Sequence, residues 1–342
     1  MNISQKFSIR MLSPKTKKRI AAIAFPLLFI AAVIASLTFG ASDVSFFDAF
    51  RALFAGDVTD MNFKILFYIR FPRTLAAILA GAALSVSGIV IQAVLQNPMA
   101  APNLIGVNAG AGFFVILTMA MFHNLLVFLP ISAFLGAMGA AFLIYAISSL
   151  TGANKMTITL IGIAIGSILT AGINTVKTLF PDSVYDVSGF LIGGLSSVHF
   201  KTVLFAGSMI LPSLLIAFLF ARKLDVLSLG EEVATGLGIS VKSARLLWLT
   251  LAAILSGAAV SFAGLIGFVG LIVPHMMRKF AGNHHTFLIP ISILGGSTFL
   301  LIADTLSRAL FAPYELPVGI LLSLVGGPFF IFLVLTERRN GR

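Results

Sequence analysis

Apolar runs of about twenty residues, the length that crosses a bilayer as a helix, recur along nearly the whole chain and are separated by short polar stretches. Ten such segments are expected: 20–39, 74–96, 104–122, 125–150, 157–178, 202–221, 244–263, 265–277, 286–306 and 318–335. The eighth is short and carries Pro274, so its ends are the least regular. In lipid a chain satisfies its backbone polar groups internally, and runs of this length do so as helices. The fold class expected is therefore all-α, a polytopic bundle of about ten transmembrane helices forming one domain over 1–342. That domain includes an N-terminal tail over 1–19 and a polar loop over 222–243.

The loop breaks the pattern at 227–240, LSLGEEVATGLGIS. Ser228 and Glu231 stand in the S-x-x-E spacing of a capping box, Glu231 and Glu232 fall in the first turn, and Gly238 suits the position just past a helix end. The spacing predicts a helix over 229–237 with its own start and stop. A helix lying on lipid headgroups usually carries Lys and Arg on its polar face, and this one carries two Glu, which favours a soluble partner.

The pattern also repeats. TLAAILAGAALSVSGIVIQAVLQNP (74–98) aligns without gaps to TLAAILSGAAVSFAGLIGFVGLIVP (250–274), with 13 of 25 positions identical. With ten spans the two copies run in opposite directions, the inverted repeat that many transporters share with some channels and membrane enzymes. Both copies are rich in small residues, Gly81, Ala82, Ser85 and Gly88 in one and Gly257, Ala258, Ser261 and Gly264 in the other. Close helix packing accounts for most of these.

Composition supports the pattern. The chain is 58% hydrophobic and 10% charged, where soluble domains are about 25% charged, and no stretch is left for a separate soluble domain. The polar, basic start is not expected to be a cleavable signal. With both termini inside, sixteen Lys and Arg fall on the cytoplasmic side and seven outside, which follows the positive-inside rule and places the 227–240 helix in the cytoplasm.

The candidate chemistry is sparse. There is no Cys and no Gly-Lys pair, so thiolate metal sites and a P-loop are excluded. The histidines, His123, His199, His275, His284 and His285, form no cluster with carboxylates inside a span, and His284 and His285 are expected in a solvated turn. No charge lies in the middle of a span, where ion-coupled carriers usually keep one, which places the energy source on another chain. At the outer side Arg70 and Arg73 flank Pro72, and Arg308 follows Asp304 by four residues. These arginines read either as anchors and a local Asp304–Arg308 pair, or as a surface for an acidic partner.

Five stretches, IRFPRTLAAILAGAALSVSG, QNPMAAPNLIGVNAGAG, LSLGEEVATGLG, GFVGLIVPHMMRKFAG and ADTLSRALFAPYELPVGILLSLVGGPFF, together resemble the permease subunits of ABC importers for iron–siderophores, haem and cobalamin. The resemblance spans both halves in the family order. It implies a bacterial cytoplasmic (inner) membrane protein with both termini inside and no cofactor, paired with a second permease, homomeric or sister. Two ATPase subunits beneath would hydrolyse ATP, and an extracytoplasmic binding protein would deliver a metal chelate. It implies ATPase coupling through Ser228, Leu229, Gly230, Glu231, Glu232, Ala234 and Gly238. Binding-protein docking falls on Arg70, Arg73 and Arg308, and a cytoplasmic gate on Asn97, Pro98, Met99, Lys155 and Met156. Ferric siderophore is the first cargo implied, haem and cobalamin the second. The residues by themselves also leave a stand-alone secondary carrier or channel open.

Overall fold

The computed structural model describes residues 13–40, 45–55, 59–122, 126–150 and 155–340; the basic tail before Ser13 and Leu125 at the start of the fourth expected span lie outside them. Among the described residues the chain is helical with no strand. Helix α1 (Pro14–Thr38) starts on Ser13, whose side chain accepts the Thr16 N–H, with Pro14 in the first turn. Helices α2 (Phe46–Ala55) and α3 (Met61–Lys64) follow, and α3 passes through a π-helical turn, Ile65–Arg70, into α4 (Phe71–Val94). Then come α5 (Val107–Met121), α6 (Leu129–Leu150), α7 (Lys155–Leu179), α8 (Asp182–Ile192), α9 (Phe200–Leu219), α10 (Ala221–Ser228) and α11 (Glu231–Gly236). The chain closes with α12 (Val241–Ala263), α13 (Val269–Ala281), α14 (His285–Ala309) and α15 (Val318–Asn340).

Seven of these helices are long and apolar enough to cross a membrane, and α5 and α15 are shorter apolar helices. With α13 they account for all ten expected segments. The short helices α2, α3, α8 and α10 were not expected, because none carries a span-length apolar run.

Helix α4 is the axis of the bundle. From Leu79 to Val94 every residue is buried, and α4 packs most extensively on α14 and α12. The α4–α14 contact is antiparallel: Ser85 Oγ donates to Ser292 O at 2.7 Å, and Ser297 Oγ donates to Ile78 O at 2.9 Å. Between these bonds the helices touch through glycine. A Cβ on Gly81 would lie 2.3 Å from Gly296 O, and one on Gly296 would lie 2.3 Å from Gly81 O. Lipid tails are as apolar as Leu, so close backbone contact and interhelical hydroxyl bonds hold such helices together.

The repeat predicts the same use of its second copy, and the packing follows it. Gly257, the counterpart of Gly81, faces α6, with Ala137 Cβ at 3.2 Å from a Cβ built there. Each copy's leading helix therefore packs on a helix of the other half: α4 on α14, α12 on α6. The copies diverge at Gly88 and Gly264. At Gly88 the helix continues, pressed on the Gly270 backbone; at Gly264 φ is +71° and the helix stops. This break is why α13 starts four residues later than expected, after Phe268, itself at φ +65°. The freed backbone groups are satisfied by protein. Leu265 N–H donates to Phe190 O at 2.9 Å, and Ala263 O accepts from Gly194 N–H at 3.0 Å. Broken helices occur at membrane depth only where neighbouring protein or a water-filled cavity completes them.

Candidate functional site

Arg70, Arg73 and Arg308 meet at one end of the bundle, but their side chains point inward rather than being presented to a partner. They are 2%, 5% and 3% exposed. Arg70, at the end of the π-helical turn, donates from Nη1 to Leu37 O at 2.7 Å and to Thr38 O, closing the last carbonyls of α1. Arg73 donates from Nε and Nη2 to Asp304 at 3.0–3.1 Å and from Nη1 to Glu315 Oε2 at 2.6 Å. Arg308 places Nε 3.1 Å from Asp304 Oδ2, and its Nη2 donates to Ser36 O at 3.1 Å. Gly40 lies over two of the guanidinium groups: a Cβ there would sit 3.1 Å from Arg70 Nη2 and 3.2 Å from Arg308 Nη1. The local Asp304–Arg308 pair weighed from the sequence is present, and no headgroup-anchoring arginine is found among the three. Their planar donors suit carboxylates and carbonyls, and here they tie α1, α4, α14 and the segment after α14 together. Glu315, on that segment, is the outermost acidic partner, with a third of its side chain exposed.

The other end carries α10 and α11. The expected capping box is absent. Ser228 closes α10 by donating to Asp225 O at 2.7 Å, and the residue before α11 is Gly230, at φ +122° with no side-chain cap. The helix is therefore Glu231–Gly236, two residues shorter at its start than expected. A serine three residues before a glutamate caps only if the chain turns at the serine, and here α10 runs through it. The far end is as expected: Gly238, at φ +79°, donates to Thr235 O and Ile239 N–H to Ala234 O, both at 2.9 Å, the Schellman arrangement. Glu231 pairs with Arg245 of α12 rather than capping.

Of the residues singled out here, Ala234 is fully buried and Ser228 turns toward α10, while Leu229, Glu231, Glu232 and Gly238 face outward. The structure adds Val233 and Leu237, at 46% and 64% exposure, which with Leu229, the 68% exposed residue that caps α10 ahead of Gly230, leave apolar side chains bare on and at both ends of α11. Their four-residue spacing is present in the sequence, but apolar residues in a chain that is 58% hydrophobic do not stand out.

Two ties join α10 to the bundle. His285 offers both its backbone N–H (2.9 Å) and Nδ1 (2.6 Å) to Asp225 Oδ1, so His285 is buried rather than in a solvated turn. Gln96 Nε2 donates to Leu227 O at 3.2 Å. Gln96, at φ +46°, turns the chain out of α4 toward Asn97, Pro98 and Met99, and Asn97 Oδ1 accepts the Met99 N–H at 2.9 Å. Arg278 of α13 donates to Gln92 Oε1 in the same region at 2.6 Å. Met156 stands 71% exposed in the first turn of α7, which begins at Lys155. The turn Pro102–Ile105, which follows Met99, packs against α7.

A third feature lies between these ends. Helix α7 turns a polar row outward, and with α5 and the broken α12–α13 junction it borders an open groove of about 720 Å³. Asn103, Asn108, Ser167, Thr170, Asn174 and Lys177 line it, with Leu191 and Leu265. The hydroxyls are satisfied within the helix, Ser167 donating to Ile163 O at 2.9 Å and Thr170 to Gly166 O at 2.8 Å. Amides have no such local solution, so this face requires water or a polar occupant rather than lipid. Among the described residues no group of three or more His, Asp or Glu is placed to hold a metal ion.

Comparison with known proteins accords with this arrangement. A family model described as the FecCD transport family matches residues 28–336. The hemin transport system permease HmuU of Yersinia pestis is 39% identical over 320 residues, covering 92% of this chain and 95% of the relative. The Fe(3+)-citrate import system permease YfmD of Bacillus subtilis is 36% identical, covering 92% and 93%. A solved structure of an inward-facing metal-chelate type ABC transporter superposes with a TM-score of 0.80 at 28% identity, covering 93% of this chain and 99% of that one. The inverted repeat, the helix broken within its second copy and the loop helix accord with these matches, and the family match over residues 28–336 with relatives 39% and 36% identical shows that the chain belongs to the FecCD transport family, whose ABC-importer permeases its motifs resemble.

Proposed function

We propose that this chain is the permease subunit of a binding-protein-dependent ABC importer for a metal chelate, with ferric siderophore first among cargoes and haem or cobalamin second. The observation that carries the reading is α11. Exposed apolar side chains, Val233 on α11 with Leu229 and Leu237 at its two ends, accompany Glu231 and Glu232 outside the spans. Such a patch suits a groove on a soluble ATPase better than anionic headgroups. The ties from Asp225 to His285 and from Leu227 to Gln96 give motion of α11 a path to α14 and to the end of α4.

In this reading Leu229, Gly230, Glu231, Glu232 and Gly238 meet the ATPase, and Ser228 and Ala234 hold the loop in shape. The turn Asn97–Pro98–Met99 and the start of α7 at Lys155 and Met156 form the cytoplasmic gate. The groove beside α7 is one wall of a pathway completed by a second permease, in a bacterial cytoplasmic membrane with both termini inside. Relatives named for hemin, Fe(3+)-citrate and iron(3+)-hydroxamate support the cargo class.

The binding protein docks at the Arg70, Arg73 and Arg308 end, where an incoming carboxylate reaches Arg73 by displacing Glu315. The test is reconstitution in liposomes with and without the ATPase and binding protein. Uptake of ferric chelate is expected only with both partners and ATP. Robust uptake by the chain alone under an ion gradient overturns the reading in favour of a secondary carrier.

A further inference from the structure

We infer that a notch between the end of α6 and the starts of α7 and α12 holds the headgroup phosphate of an anionic phospholipid of the cytoplasmic leaflet, on Lys242 and Arg245; its place in that leaflet rests on the permease reading. The notch is half-open, about 320 Å³, at the end of the bundle that carries α11. Lys242 and Arg245 line one side of it and Ser148 and Ser149 another, and Glu231 is the one carboxylate among the described residues that border it. The connection from α6 to α7, residues 151–154, has no carboxylate in its sequence. Lys242 is exposed, and among the described residues no hydrogen-bond or ion-pair partner engages its ammonium. Arg245 is held on one side only: Nη2 meets Glu231, while Nε is buried without an acceptor. Such a donor is costly, and a turn of the guanidinium into the notch brings it to an anion there.

Depth separates a lipid from a soluble anion. Tyr145 and Ile158 border the notch and also a narrow apolar slot beneath it, lined by Phe142, Leu246 and Leu249. On α12, Lys242 and Leu246 stand four apart, as do Arg245 and Leu249, so one face passes from cationic to apolar within a turn. On α6 the same change runs from Phe142 through Tyr145 to Ser149. The slot, about 20 Å³, is too narrow for an acyl chain, so the chains stay in the bilayer against the exposed Phe142 and Leu246. Free phosphate has no use for that apolar rim, whereas a phospholipid covers both parts at once. Bound there, the phosphate stands beside Glu231 and competes with it for Arg245. Occupancy therefore loosens the ion pair that fixes α11 on α12.

Trp248, the single tryptophan of the chain, lies on α12 three residues after Arg245 and supplies the probe. The full-length chain is reconstituted in phosphatidylcholine vesicles with brominated phosphatidylglycerol or brominated phosphatidylcholine mixed in, because bromine on an acyl chain quenches a nearby tryptophan. Wild type is expected to favour phosphatidylglycerol, and Lys242→Gln should lower that preference about fivefold. Lys242→Arg should keep it. Lys223→Gln, which removes a cation elsewhere on the same end of the bundle, should leave it unchanged. Equal quenching by the two lipids in wild type overturns the inference. An equal drop in Lys242→Gln and Lys223→Gln also overturns it, because general surface charge would then suffice. Displacement of the lipid by inorganic phosphate at constant ionic strength does the same, since the site would then take the free anion. With the ATPase and binding protein assembled, more phosphatidylglycerol should lower binding-protein-stimulated ATP hydrolysis in wild type more than in Lys242→Gln. An equal response in both overturns the link to α11. A retained lipid preference with no partner-dependent hydrolysis upholds the lipid site and removes the permease reading.

Discussion

Arg73 and Asp304 stand 231 positions apart in the chain and grip each other through Nε and Nη2 at 3.0–3.1 Å, both side chains almost wholly buried. The pair joins the start of α4 to the end of α14, the two helices that glycine holds in backbone contact further along. Removing one partner leaves the other charge buried without compensation, typically a loss of about 3–5 kcal/mol. Arg73→Glu is therefore expected to lower the thermal midpoint of the purified protein sharply, and Asp304→Asn less so because the amide still accepts from Arg73. A charge reversal at Arg73 is thus not a clean test of docking. An unchanged midpoint in Arg73→Glu would show that the pair is not structural.

Glu315 offers the cleaner test. It is the half-open partner of Arg73, so its loss costs little structure and frees one face of a guanidinium. Glu315→Gln should bind an extracytoplasmic binding protein more tightly, and the gain should be largest at low salt, where screening is weakest. Titration of the binding protein against nanodisc-held permease across a salt series measures it. Weaker binding, or no salt dependence in either form, removes Arg73 from the docking surface.

The glycine crossing predicts a graded response. Gly81→Val has no room, because a Cβ already falls 2.3 Å from Gly296 O, and the α4–α14 contact must open. Gly139→Ala, on α6, meets nothing within 4 Å and removes a helix-interior glycine, a gain of about 0.5–1 kcal/mol. Folded yield and thermal midpoint should fall for the first and hold or rise for the second. Equal behaviour of the two would mean that α4 and α14 do not pack as described.

At the other end, the Glu231–Arg245 pair fixes α11 on the start of α12. Glu231→Lys should reduce ATPase stimulation by the binding protein, and adding Arg245→Glu should restore part of it by rebuilding the pair in reverse. Replacing Leu229, Val233 and Leu237 together by Ser should abolish stimulation with assembly of the bundle unaffected. Wild-type stimulation in that triple variant would return α11 to the role of a helix on headgroups.

Much of the fold was legible because span-length apolar runs leave lipid-embedded backbone one solution. The repeat was legible because small residues at fixed spacing survive as identities. The break at Gly264 was not. Gly88 holds the matching place in the first copy and stays helical, so only Phe190, Gly193 and Gly194, distant in sequence, decide which conformation wins. The Ser228 capping box failed for a similar reason, since nothing local says that α10 continues through it. The structure brings the three arginines together at one end of the bundle, but their inward orientation depends on Asp304, Glu315 and the α1 carbonyls, which only the tertiary structure brings near. Val233 and Leu237 were legible and unread: apolar residues in an apolar chain draw no notice until burial shows them bare.

The exchange of partners between halves also sets a timetable for making the protein. Ser85 and Ser292 bond across α4 and α14, and 207 positions separate them. At about 5–20 residues per second of synthesis, Ser85 waits roughly 10–40 s for its acceptor. Throughout that interval the Gly81–Ser85 face of α4 sits in the bilayer with its intended neighbour still untranslated. The first half is therefore not a freestanding product, and insertion machinery or the arriving α12 must shelter that face until the ninth span is released. A gene divided after α10 should yield stable protein only when both fragments are made in the same cell at the same time.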